Sequence, residues 1–298
     1  MRLACPACAA AIEGGEAWQC KSCGWRAELV NGVVVLVTQA DRQDPILGSY
    51  FSNYDQIAKD DLDQPILDLK YVEHQAANML RHVGDVKGRD VLDVGCGRGV
   101  LTRAFGSAGA RSVVAVDISM DYLSRLSSVQ GVTPVLANAE SLPFIDSFDV
   151  LASTDVMEHV LNLGSFLVCA NRALKTGGRA VIRVPLEENL TRYSAQAGCK
   201  YRFVHLRSFD RRLLHRTLRD CGFEVESSHV DGFSVYTPQP FWMAGPRRKR
   251  LYIGLQGWLV GRMSHASNVT AWPARFASLF MKPQEAVVVA RKVGAWSS

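Results

Sequence analysis

The chain has 298 residues, of which 48% are hydrophobic and 21% charged, a balance that excludes a disordered or fibrous protein and provides for one large core with an appendage. Its net charge of +5 permits an anionic partner without demanding one. No apolar run is long enough to span a bilayer, and the first residues lead into a cysteine motif rather than a signal peptide, so a soluble, cytoplasmic protein is expected.

Four of the eight cysteines fall within the first two dozen residues. Cys5-Pro-Ala-Cys8 and Cys20-Lys-Ser-Cys23 are two C-x2-C pairs, each able to turn two thiolates toward one ion. Together Cys5, Cys8, Cys20 and Cys23 predict a closed, structural S4 site for Zn2+. Trp25 to Val37 reads as a hairpin turning at Asn31-Gly32. A zinc ribbon over residues 1–38 follows, with the metal supplying much of its folding free energy.

Residues 39–88 read as a linker and helical cap. Asp44-Pro45 marks a boundary. The aromatics of Tyr50-Phe-Ser-Asn-Tyr54 either pack on the main domain or line a substrate pocket. Leu69, Val72, Ala76, Met79, Leu80 and Val83 recur at helical spacing.

From residue 89 apolar runs alternate with helical patterns. Strands are expected at Asp90–Val94, Ser112–Asp117, Pro134–Ala137, Phe148–Ser153, Arg179–Val184, Phe223–Val230 and Glu285–Lys292. Helices are expected at Val100–Ser107, Asp121–Ser128, Leu163–Lys175 and Arg211–Cys221. The alternation predicts an α/β fold, a mostly parallel sheet with helices on both faces and ligands beyond the strand C-termini. The first strand runs through Asp93 into a glycine turn, Gly95-Cys96-Gly97-Arg98-Gly99. The second ends at Asp117-Ile118, where an acid can accept ribose hydroxyls. The third runs into Asn138-Ala139, whose polar groups can read a base. Three strand ends thus describe a site for a nucleoside-bearing cofactor. Val100 stands where a dinucleotide fingerprint has its third glycine, and no Walker lysine follows.

Val91-Leu-Asp-Val-Gly-Cys-Gly-Arg-Gly99, Val-Asp117-Ile-Ser, Asn138-Ala-Glu-Ser-Leu-Pro-Phe144, Phe148-Asp-Val-Leu, Asp155-Val-Met-Glu158-His159-Val and Leu174-Lys-Thr-Gly-Gly178 resemble, in order, the motifs of class I S-adenosylmethionine-dependent methyltransferases. The resemblance implies a Rossmann-like sheet over residues 89–298. It implies that Asp93, Gly95, Cys96, Gly97 and Gly99 hold the methionine part of S-adenosylmethionine. Asp117 would bind the ribose, Ile118, Asn138 and Ala139 the adenine, and Asp155 would lie near the methionine amino group or the acceptor.

Methyl transfer to a hydroxyl gains from a general base, and His159 and His205, both just beyond strand C-termini, are the candidates. Long connections at about 185–208 and 232–284 should cap the acceptor side. The basic run Arg247-Arg-Lys-Arg250, ahead of the apolar stretch to Val260, suits a membrane surface or a lipid-linked substrate, or nucleic acid through phosphate contacts and base stacking. A small-molecule acceptor (sugar, polyketide or lipid-linked intermediate) methylated at oxygen is expected. RNA is the alternative, since a four-cysteine knuckle ahead of this domain resembles the layout of rRNA guanine-N1 methyltransferases. A non-catalytic binding scaffold ranks third.

Overall fold

The computed structural model describes residues 1–13, 18–67, 69–233 and 283–294. Its elements run β1 (Arg2–Ala4), β2 (Ala11–Glu13), β3 (Glu28–Val30), β4 (Val33–Val35), α1 (Gln39–Gln43), α2 (Pro45–Asp63), α3 (Leu69–Val83), β5 (Asp90–Val94), α4 (Val100–Ser107), β6 (Ser112–Asp117), α5 (Met120–Ser124), β7 (Val132–Leu136), β8 (Phe144–Ile145), β9 (Phe148–Thr154), α6 (Leu163–Ala173), β10 (Leu174–Pro185), α7 (Arg211–Asp220), β11 (Phe223–Phe233) and β12 (Pro283–Lys292).

Among the described residues, nine strands form the main sheet in the order β11-β12-β10-β9-β5-β6-β7-β4-β3. The pairs β10–β9, β9–β5, β5–β6 and β6–β7 are parallel, and β12 runs antiparallel between β10 and β11. The apolar runs become strands buried on both faces. Leu92, Val94, Val114 and Val116 pack on one side, and Val91, Val113, Val150 and Val181 on the other. The chain leaves β5 toward β6 on one flank and pairs with β9 on the other. A cleft therefore opens at the C-terminal end of β5, as parallel sheets of this kind dictate.

The N-terminal hairpin is part of this sheet. Asn31 and Gly32 both hold positive φ, at 52° and 78°, which a two-residue turn of this hand requires. The three valines of β4 are buried, and β4 pairs parallel with β7 through Val34↔Val135 and Val35↔Leu136. β1 pairs with β8, so Leu3 meets Phe144. Leu3, Ile12 and Leu36 share one apolar cluster with Phe144 and Phe148.

Several expected boundaries shift. The helix expected over Asp121–Ser128 ends at Ser124, and turns carry Leu126 into the core, which preserves the apolar spacing without the helix. The third strand begins at Val132, with Pro134 inside it. The helix expected to Lys175 stops at Ala173, where β10 starts early and shifts register before Arg179. Leu69, assigned to the apolar face of α3, is 47% exposed, whereas Ala76, Met79 and Val83 are buried. The 39–88 segment contains α2, a 19-residue helix. Asp44 caps it by accepting from the Ile46 and Leu47 N–H groups at 2.9 Å, and Pro45 occupies its first turn. Most of the 232–284 connection, with the 247–260 basic and apolar stretch, lies outside the described residues. Among the described residues no helix is long and apolar enough to cross a membrane.

Candidate active site

The glycine turn forms because three of its residues adopt φ values closed to most side chains: Gly95 at 74°, Gly97 at 48° and Gly99 at 72°. Space matters as much as φ. A Cβ on Gly95 would lie 2.2 Å from Val156 Cγ2, and one on Gly99 would lie 2.5 Å from Leu126 Cδ2. Gly99 thus makes room for the core rather than for a ligand, and it is also the N-cap of α4. Gly97 has open space where its Cβ would be.

Asp117 fastens the turn. Its Oδ2 accepts the Gly97 N–H at 2.9 Å, while Oδ1 accepts the Ile118 and Ser119 N–H groups at 2.8 and 2.9 Å. Burial pushes its carboxyl up, and these backbone donors oppose the shift. Asp93 is buried at the end of β5 and accepts the Thr102 hydroxyl at 2.5 Å. Burial pushes its carboxyl up to about 7.

Two cavities meet here. One, of about 320 Å³, is lined by Asp93, Gly95, Cys96, Gly97, Asp155 and the α2 residue Asp61. The other, of about 210 Å³, is lined by Asp117, Ile118, Asn138, Ala139, His159 and the aromatic pair Tyr50 and Tyr54. Gly95, Tyr122 and Asp155 border both. All cofactor residues named from the sequence except Gly99 therefore line one continuous cleft. Asn138 also caps a short turn, its side-chain oxygen accepting the Glu140 N–H at 3.0 Å.

Helix α2 closes the cleft from above, and its polar residues grip both sides. Asp61 accepts from Arg98 Nε at 2.6 Å and from the Tyr122 hydroxyl at 2.9 Å, tying the helix to the glycine turn. Asn53 exchanges hydrogen bonds with the Arg202 backbone, and the Tyr54 hydroxyl donates to the Phe203 carbonyl at 3.0 Å. Tyr50 and Tyr54, given two readings from the sequence, do both things: they pack against Phe203 and His159 of the main domain and line the cavity.

Where the two cavities meet, Asp155 has φ +55° and pairs with the fully buried Arg183, which also pairs with Glu285. His159 and His205, 46 positions apart in the chain, meet edge to face with ring centroids 4.7 Å apart. Burial, and then His205, pushes His159 down to about 3, so it is neutral at physiological pH. His159 Nδ1 accepts the His205 backbone N–H at 3.4 Å. His205 Nδ1 lies 2.5 Å from Glu188 Oε2, and Tyr193 stacks on the His205 ring at 4.1 Å. Asp155, Glu187, Phe203 and His205 all hold left-handed backbone around this end of the cleft, strain of the kind that collects at functional sites.

The four N-terminal sulfurs also converge. Cys5 and Cys23 are 3.6 Å apart, as are Cys8 and Cys20, and all four lie within 4.8 Å of one another. A tetrahedron with Zn–S bonds of about 2.3 Å has edges of roughly 3.8 Å, so the donor set fits zinc.

The family described as a methyltransferase domain matches residues 69–228, more than half of the chain. The chain belongs to the class I S-adenosylmethionine-dependent methyltransferases. This methyltransferase is 40% identical over 105 residues to demethylmenaquinone methyltransferase of Tropheryma whipplei, a match covering 34% of the chain and 43% of the relative. It is 32% identical over 168 residues to the ubiquinone biosynthesis O-methyltransferase of Methylococcus capsulatus, covering 51% and 70%. The match to the Tropheryma relative thus spans less than half of that protein's length. In structure, the methyltransferase resembles 1,6-didemethyltoxoflavin-N1-methyltransferase of Burkholderia thailandensis, solved with S-adenosylhomocysteine (TM-score 0.52, 18% identity, 87% of this chain and 92% of that one).

The sequence reading did not single out Asp61, Tyr122, Glu188 or the acid of Glu158. Asp44-Pro45 was a usable signal for α2 and its polar grip, because an acid followed by proline opens helices as well as marking boundaries. Glu188 carries no local signal, since its partner His205 is 17 residues away.

Proposed function

We infer that the methyltransferase moves a methyl group from S-adenosylmethionine to a hydroxyl of a small molecule held at the His159–His205 end of the cleft. The observation that carries this reading is one continuous cleft that joins the residues read as cofactor-binding to an aromatic, histidine-bearing wall of Tyr50, Tyr54 and His159, which stands beside Asp117 and Asn138. The methionine part would lie over Asp93 and Gly95–Gly97, the ribose on Asp117, and the adenine against Ile118, Asn138 and Ala139. The sulfonium is itself an activated leaving group, so alignment of acceptor and methyl does most of the work. Removal of the acceptor proton falls to the cluster around His205, because His159 takes up no proton near neutrality. The relative named as a ubiquinone biosynthesis O-methyltransferase supports an oxygen acceptor. A structural zinc on Cys5, Cys8, Cys20 and Cys23 belongs to the same reading and would hold the ribbon as the outer strands of the sheet.

Incubating the protein with methyl-labelled S-adenosylmethionine and, in parallel, a small-molecule extract or total RNA tests the acceptor class. Label is expected in the small-molecule fraction. Label in RNA alone would overturn the reading.

The buried acid fixes a pH dependence. Asp93 has a folded pKa of about 7, above the ordinary carboxylate value, so its anion is fully present only above that pH. S-adenosylmethionine brings a sulfonium and an ammonium, and the ionised Asp93 favours both. Affinity should rise with pH up to about 7 and weaken by up to about tenfold per unit below it. The linkage to stability of the free protein has the opposite sign: protonated Asp93 favours the fold, and this contribution is lost as pH rises from the unfolded value toward 7. Calorimetric titrations at pH 6 and pH 8 measure the first effect. Equal affinities would remove Asp93 from the cofactor site.

A further inference from the structure

Asn138 and Ala139, on the wall of the cleft, belong to the 137–143 loop that joins β7 to β8. The N-terminal ribbon takes hold of this loop at both ends. On one side β4 lies parallel to β7, pairing Val35 with Leu136, and the Leu36 N–H donates to the Leu136 carbonyl at 2.9 Å, just before Asn138. On the other side β1 lies antiparallel to β8, pairing Leu3 with Phe144, and the Ala4 N–H donates to the Pro143 carbonyl at 2.7 Å. Just beyond, the Arg2 N–H donates to the Ser147 hydroxyl at 2.7 Å.

Neither grip is strong by itself, since β1 and β4 are only three residues long. What joins them is the four-cysteine set. Cys5 follows β1, and its N–H and carbonyl close a tight turn on Ala10 and Ala9 at 2.7 and 2.8 Å. The Cys20 N–H donates to the Trp25 carbonyl at 2.7 Å, closing the turn that leads into β3 and its hairpin partner β4. A metal on the four sulfurs would lock the two turns together, and in so small a unit metal binding is folding free energy. Cys5 and Cys20 are buried in the same apolar cluster as Leu36, Ala137 and Phe144, so the metal-bearing turns share one packed core with the ends of the loop. Val33 and Val35 of β4 share a second cluster with Cys96 of the glycine turn and with Leu126.

We propose that the ribbon is a clamp on the adenine wall of the cleft, and that metal on Cys5, Cys8, Cys20 and Cys23 is coupled to cofactor binding: loading the sulfurs tightens S-adenosylmethionine, and the cofactor in turn tightens the metal. The clamp rests on the cofactor reading above. None of the four cysteines lines either cavity, so the effect travels through strand pairing rather than through contact with the ligand. Its size is bounded by anchors that the ribbon does not supply. Glu140 accepts the Leu161 and Asn162 N–H groups at 2.7 and 2.8 Å, Arg172 donates to the Leu142 carbonyl at 2.6 Å, and the Ala137 N–H donates to the Asp117 carbonyl at 3.1 Å. Without the metal the loop is loosened at its ends and not released. A coupling of about tenfold follows, inside the usual range for two linked sites.

Isothermal titration of the full-length protein with S-adenosylhomocysteine, after loading with Zn2+ or stripping with a chelator, tests the clamp, with elemental analysis reporting occupancy. Stripped wild type and Cys8→Ser, which removes a ligand from the exposed side of the set, are each expected to bind about tenfold more weakly than loaded wild type. The reverse measurement needs only loaded wild type: saturating S-adenosylhomocysteine should make zinc about tenfold harder to transfer to a competing chelator, because coupling is reciprocal. On stripping, amide exchange should quicken at 138–142 and stay unchanged in β5 and β9. Equal S-adenosylhomocysteine affinity in loaded and stripped protein, or a zinc affinity indifferent to S-adenosylhomocysteine, would overturn the clamp. Exchange that quickened throughout the sheet would make the ribbon a purely structural part and overturn it too. No S-adenosylhomocysteine binding by loaded wild type would overturn the cofactor reading along with the clamp, whereas binding that ignores the metal would contradict the clamp alone.

Discussion

Replacing Arg183 with methionine is expected to destabilise the protein by about 3–5 kcal/mol, one of the two largest effects of any single substitution considered for this fold. Arg183 has no exposed surface, and its guanidinium pairs with Asp155 on one side and Glu285 on the other. These partners sit at the C-terminal end of β9 and on the antiparallel strand β12, so one cation ties three adjacent strands beside the cleft. Methionine fills much of the volume but strands the carboxylates of Glu285, whose side chain is 15% exposed, and of Asp155, 34% exposed. Thermal denaturation should show a fall of roughly 10 °C. Adding Asp155→Asn and Glu285→Gln should recover part of the loss, because the cost lies in the unpaired charges rather than in the missing contacts. A single variant as stable as wild type would mean that the two acids are neutral in the fold.

Replacing Asp117 with alanine should weaken S-adenosylmethionine and S-adenosylhomocysteine by about 10²–10³-fold. The carboxylate holds three backbone N–H groups that shape the glycine turn, and its place at the tip of β6 is where ribose hydroxyls would donate. Two charge-assisted hydrogen bonds at about 1.5–3 kcal/mol each account for a loss of that size. In a thermal-shift assay, S-adenosylhomocysteine should raise the melting point of wild type and leave that of Asp117→Ala unmoved. The effect should appear with no acceptor present.

The central sheet was legible because strands buried on both faces leave an uninterrupted apolar run, as in Val113–Val116, and because a glycine turn after such a run has few other uses. The lining of the cleft was legible for the same reason: Asp93 and Asp117 stand at the C-terminal ends of β5 and β6, and Asn138 just beyond β7. What the sequence concealed depends on pairing across distance. β4 was readable as a strand, but its partner β7 lies about a hundred positions further along, and no local pattern sets that register. The polar face of α2 looked like part of a linker. Asn53, Asp60 and Asp61 are polar because they bind the 200–203 loop and the glycine turn. The two histidines were identified singly, while their meeting, with Glu158 and Glu188 behind them, depends on how the 185–208 connection folds back over β9.

The claim on which the rest depends is that the cleft at the end of β5 is an S-adenosylmethionine site organised by Asp117. Isothermal titration with S-adenosylhomocysteine at pH 8 tests it most directly. One saturable site per wild-type chain, weakened at least a hundredfold in folded Asp117→Ala, is the predicted result. No binding by wild type, or the same affinity in both proteins, would contradict it.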